Sequence, residues 1–105
     1  MIDLNAKQLE TIKRILKILE TDYEVWAYGS RVKGDAGKYS DLDLVVKGDR
    51  AVKQDVLFRL KNEFEISDLP FRVDLLDWNR ISDEFRKQIL ENYTVILPAD
   101  NKDTN

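Results

Sequence analysis

Two aspartates alternate across a leucine at the head of an apolar run, Asp41-Leu42-Asp43-Leu44-Val45-Val46, with ten residues between them and a preceding Gly29-Ser30 pair. On a strand, residues two apart project from one face, with Cα atoms roughly 6.6 Å apart at a rise of about 3.3 Å each. Two catalytic metal ions typically lie about 3.5–4 Å apart, so two such carboxylates can lean together and hold one or both. Their mutual repulsion at neutral pH favours a divalent cation between them. The Gly-Ser pair has a different use. Glycine lets the backbone come close to a polyphosphate, the serine adds a hydroxyl, and the amides of the following turn point toward an anion. A phosphate seat and a metal seat on one ribbon imply nucleotide chemistry.

Composition narrows the chemistry further. The 105 residues include no cysteine and no histidine, which excludes disulfides, thiolate sites and the commonest general base. Oxygen ligands then select magnesium or manganese over zinc. A formal charge of −3 argues against a protein that grips long nucleic acid through its phosphates. No apolar run reaches the roughly 18 residues of a membrane span, and the N-terminal residues lack a secretory pattern. A cytoplasmic location is the expectation.

Helical and strand patterns interleave along the chain, which predicts a sheet covered by helices. Asn5 is a candidate N-cap for a helix over Ala6 to Glu20 with an apolar stripe of Leu9, Ile12, Leu16 and Leu19. Glu24 to Tyr28 reads as a strand ending at Gly29, and Ser30 is placed to cap a short helix broken by Gly34. Asp41 to Val46 is the second strand. Asp49 is a candidate cap for a helix over Arg50 to Phe64, and Phe71 to Leu76 alternates as a third strand. Ser82 caps a helix to Asn92, with Asp83 and Glu84 in its first turn, and Thr94 to Leu97 is a last strand. One domain over 1–97 and a flexible polar tail over 98–105 follow.

A third carboxylate is expected from a neighbouring strand. Asp74 sits among Val73, Leu75 and Leu76, where an unpaired charge is costly to bury. Asp77 competes, but its odd spacing from Asp74 puts it on the opposite face. Arg31, Lys33 and Lys38 share the loop after Gly29-Ser30 and could supply positive charge to phosphate oxygens. Spacing does not choose among them. Each feature also has an ordinary reading: a turn with a helix cap, solvated carboxylates at a strand end, and surface bases. Together the features favour function. Trp26, Trp78 and Phe85 offer contact surface for a homo- or hetero-oligomer if exposed.

The chain resembles a minimal nucleotidyltransferase of the DNA polymerase beta superfamily, whose signature is Gly-Ser, ten residues, Asp-x-Asp. GSRVKGDAGKYSDLDLVV matches that signature, and FRVDLLDW matches the strand that carries the third aspartate. The resemblance spans about Ala6 to Leu97. It implies an α/β (α+β) fold with a mixed sheet flanked by helices. It also implies that Gly29, Ser30 and Arg31 hold the nucleotide and that Asp41, Asp43 and Asp74 ligate Mg2+ or Mn2+. The implied reaction is attack of an acceptor hydroxyl on the α-phosphate of a nucleoside triphosphate, ATP by family default, releasing pyrophosphate.

Only about 30 residues follow the third strand, too few for an acceptor domain. Members this short resemble the MNT half of HEPN–MNT pairs, in which the transferase adds AMP to a HEPN toxin and so acts as antitoxin. The implied partner is a HEPN-type helical protein encoded nearby. Transfer to a small molecule or an RNA end held by a partner subunit, and a non-catalytic antitoxin that works by contact, stay open as alternatives.

Overall fold

The computed structural model describes residues 3–34, 37 and 40–100. Lys38 and the tail residues 101–105, which carried expectations above, lie outside the described residues. Along the chain run α1 (Ala6–Leu16), β1 (Glu24–Tyr28), α2 (Ser30–Lys33), β2 (Leu42–Lys47), α3 (Gln54–Ile66), β3 (Val73–Asp77), a 3-10 turn (Trp78–Arg80), α4 (Asp83–Glu91) and β4 (Tyr93–Leu97).

The strands form one sheet in the order β3-β2-β1-β4. β1 pairs antiparallel with β2 and β4, while β2 and β3 are parallel, joined by α3 as the crossover that parallel pairing requires. The sheet is helix-covered, as the sequence pattern predicts, and mixed, as the family resemblance implies.

Strand parity divides the sheet into two faces. Val25, Ala27, Leu42, Leu44, Val46 and Leu75 join Ile12, Ile15, Leu16, Leu57, Leu60 and Phe64 of α1 and α3 in the main core. On the opposite face Trp26, Tyr28, Val45 and Ile89 of α4 form a second cluster, against which Leu76, Trp78, Ile81 and Phe85 pack. Trp26 stacks on Tyr93 at 4.1 Å and meets Trp78 edge-on at 5.4 Å. These aromatics are spent on holding α4 to the sheet. The expectation that Trp26, Trp78 and Phe85 offer free contact surface does not hold: Trp26 is buried and the other two are half-covered.

Several boundaries move for identifiable reasons. α1 begins at the expected Asn5 cap, strengthened by a capping box in which Gln8 returns a bond to the Asn5 amide at 3.1 Å. It ends at Leu16, and residues 17–20 continue as turns. α3 starts at Gln54 rather than Arg50, because residues before it are held in another shape. Asp77 Oδ2 accepts from the Val52 amide at 2.8 Å, and Arg80 donates to the Val52 carbonyl at 2.8 Å. Those bonds replace the first helical turn. Ser30 is the first residue of α2 rather than its cap, a position Gly29 takes.

Candidate active site

The chemistry-bearing residues gather at one end of the second sheet face, beyond the patch that α4 covers. In β2, Asp43 shares its face with Val45, and in β3 Asp74 shares its face with Leu76. The parallel register sets Asp43 directly beside Asp74. The antiparallel register sets Tyr28, the last residue of β1, on the other side of Asp43. Asp41 lies just before β2.

Gly29 follows Tyr28 with φ 83° and ψ −156°. This backbone is open almost solely to glycine. A Cβ at this position would overlap Asp43 Oδ2, so the carboxylate lies against the turn itself. The first turn of α2 is closed by the Val32 and Lys33 amides donating to the Gly29 carbonyl, at 3.1 and 3.0 Å. Ser30 is half-exposed beside the carboxylates' end of the sheet.

Electrostatics mark the place as one of concentrated negative charge. Burial, then the charges of Asp74 and Asp41, push Asp43 above the ordinary carboxylate range, while Arg72 pulls the other way. Burial, with Asp43 and Asp74 adding to it, raises the Tyr28 hydroxyl as well. Arg72 is the nearby counter-charge: its Nη2 donates to Asp41 Oδ2 at 2.9 Å in an exposed pair. Among the described residues no three acidic side chains stand together as a metal-ligand cluster. The donor set nevertheless fits a hard cation. It offers carboxylate oxygens alone, drawn from adjoining strands, and burial together with the charges of Asp74 and Asp41 already raises the pKa of Asp43.

Asp77 resolves as parity requires. It faces the main core, 3% exposed, and bonds Val52, Asn79 and Arg80. It is a structural carboxylate, and Asp74 on the opposite face is exposed at the site.

Arg31 departs from its sequence reading. It is 4% exposed, its Nε donates to the Ser40 carbonyl at 3.0 Å and its Nη1 to the Asp3 carbonyl at 2.8 Å. Its guanidinium also lies 4.1 Å from the centre of the Phe71 ring. A phosphate contact has no support from that geometry. Lys33, two residues further on, is exposed. Sequence reasoning missed Tyr28 as a wall of the site. Its place directly before Gly29 was the available signal, but only the β1–β2 register sets it beside Asp43.

Comparison with known proteins gives one consistent answer. The nucleotidyltransferase domain profile matches residues 9–97. A probable protein adenylyltransferase, MntA of Haemophilus influenzae, is 50% identical over 95 residues, covering 90% of this chain and 83% of that protein. A crystal structure of a toxin–antitoxin with AMP-PNP superposes with a TM-score of 0.72 at 20% identity, covering 90% of this chain and 77% of that one. A tri-AMPylated HEPN toxin of Shewanella oneidensis in complex with MNT antitoxin gives a TM-score of 0.57 at 20% identity, covering 83% and 69%. At that identity the structural likenesses speak for the fold.

Proposed function

The chain belongs to the nucleotidyltransferase domain family, and we propose that it transfers AMP from ATP to a hydroxyl of a partner protein, a helical HEPN-type toxin, and so acts as the antitoxin. The observation that carries this reading is the placement of Asp43 between its register partner Asp74 and the Gly29 backbone. Carboxylates and a glycine turn then lie side by side. Half-identity with a protein adenylyltransferase over most of its length supports a protein as the acceptor.

The chain's own groups divide the work. The Gly29-Ser30 turn seats the triphosphate, with the Ser30 hydroxyl as donor and exposed Lys33 as the base available to phosphate oxygens. Asp41, Asp43 and Asp74 would hold magnesium. When bound, the ion supplies charge neutralisation on the triphosphate and lowers the pKa of the attacking hydroxyl. The acceptor oxygen forms a bond to the α-phosphorus as the bond to the β-phosphate bridging oxygen breaks, and pyrophosphate departs. The acceptor proton passes to a carboxylate at this end of the sheet. Tyr28 and Phe85, ring centres 5.8 Å apart, wall the site on the α4 side and limit water.

No helix among the described residues is long and apolar enough to cross a membrane. A cytoplasmic location is part of the same proposal, and use of ATP as substrate supports it. Incubation of the purified chain with magnesium, α-labelled ATP and the helical product of its neighbouring gene should label that product. Equal labelling by an Asp41→Asn/Asp43→Asn double variant, or no labelling by the wild type, would refute the assignment.

A further inference from the structure

We infer that Arg31 is a positioning residue: one buried guanidinium that ties together the three chain segments carrying the site. It directly follows Gly29-Ser30. Its Nε holds the carbonyl of Ser40, the residue before Asp41, at 3.0 Å. Its face covers the Phe71 ring at 4.1 Å, just ahead of Arg72, Val73 and Asp74. Its Nη1 takes the Asp3 carbonyl at 2.8 Å, and the Asp3 amide donates back to the Arg31 carbonyl at 3.2 Å, so the N-terminal segment closes over it.

The topology explains why such a tie is needed. β1 and β2 are joined by a connection far longer than a two-residue hairpin turn, and the parallel β2–β3 pair has no turn of its own. Register at the carboxylate end therefore depends on contacts across the strand starts. One is the Leu42 amide donating to the Arg72 carbonyl at 2.8 Å. Arg31 clamps the residues that flank that bond on both strands. A guanidinium suits the task because its fork takes two carbonyls while its plane stacks on an aromatic ring, which an ammonium does not reproduce. At 4% exposed, it remains buried only with those acceptors in place.

The test compares Arg31→Met and Arg31→Lys with Arg80→Met, which removes a second brace, Arg80 to Val52 and Asp77, on the core face. Assays run well below every variant's melting temperature. Arg31→Met is expected to lower kcat for AMP transfer at least tenfold at saturating ATP, with KM for ATP within about threefold and little rescue by Arg31→Lys. Arg80→Met is expected to melt earlier and keep kcat within twofold. The inference rests on the proposed transfer only for that readout. Independently of activity, amide exchange at Leu42 should speed at least tenfold in Arg31→Met, while Val46 at the far end of the same strand keeps its protection. A rise in KM for ATP with kcat and Leu42 exchange unchanged would make Arg31 a phosphate ligand and overturn the inference. Equal kcat losses in Arg31→Met and Arg80→Met would reduce it to general stability and overturn it too. A wild-type chain without transfer activity sinks the proposed function, and Leu42 exchange then still decides the role of Arg31.

Discussion

Asp43 rests its carboxylate against the backbone of Gly29, so closely that a Cβ on Gly29 would overlap Oδ2. The turn proposed to seat phosphate and the carboxylate proposed to hold a cation are therefore one packed unit. Neither can shift without the other.

Gly29→Ala brings two penalties, an unfavourable backbone at φ 83° and the overlap with Asp43. The first alone costs about 1–3 kcal/mol. Melting should fall by roughly 5–15 °C for a domain of this size. AMP transfer should fall at least a hundredfold on the order of magnitude expected when reacting groups are misplaced by about 1 Å. Retention of transfer within twofold would remove the turn from the site.

Asp43 predicts a pH dependence of stability whose sign is opposite to that of most carboxylates. Its folded-state pKa is raised, so the native state binds the proton more tightly than the unfolded chain does. Its contribution is fully present below the unfolded value of about 3.9 and is lost as pH rises through the folded value. Without divalent cation, Asp43→Asn should therefore melt higher than wild type at pH 7 while losing transfer activity. The gap should close as pH falls below about 4. A variant less stable than wild type at pH 7 contradicts this electrostatic reading.

Magnesium should reverse that order. Binding to the folded wild type stabilises it by about 2.7 kcal/mol at a hundredfold excess over Kd. A saturable rise in melting temperature is expected for wild type and a much smaller one for Asp43→Asn and Asp74→Asn. The absence of any wild-type shift up to millimolar magnesium counts against the carboxylates as ligands.

Asp74 and Asp77 lie three residues apart and should behave oppositely. Asp77→Ala leaves the Val52 amide without its acceptor and Arg80 without its carboxylate. With Arg80 partly exposed, roughly 2–4 kcal/mol of stability should be lost. Residual folded protein should still transfer AMP. Asp74→Ala, at an exposed position, should fold normally and fail to transfer. Denaturant melts alongside turnover measurements separate the two.

Local pattern carried much of this into view beforehand. Glu24–Tyr28 is a strand with the expected limits, Asn5 and Ser82 cap their helices as spacing predicts, and parity alone separates Asp74 from Asp77. Period and capping are properties of neighbouring residues, so a linear chain displays them. The start of α3 escaped because Asp77, 25 residues away from Val52, decides it.

The amino-acid sequence by itself determined the alternation of helices and strands, the glycine-serine turn and the three aspartates, because each follows from spacing of a few residues and from side-chain chemistry. Tertiary structure alone decided that Asp43 stands beside Asp74, that Tyr28 flanks it, and that Arg31 is a buried clamp and not a surface base. The reason is that register between strands and the depth of a long side chain are set by contacts between segments far apart in the chain, which no local period encodes.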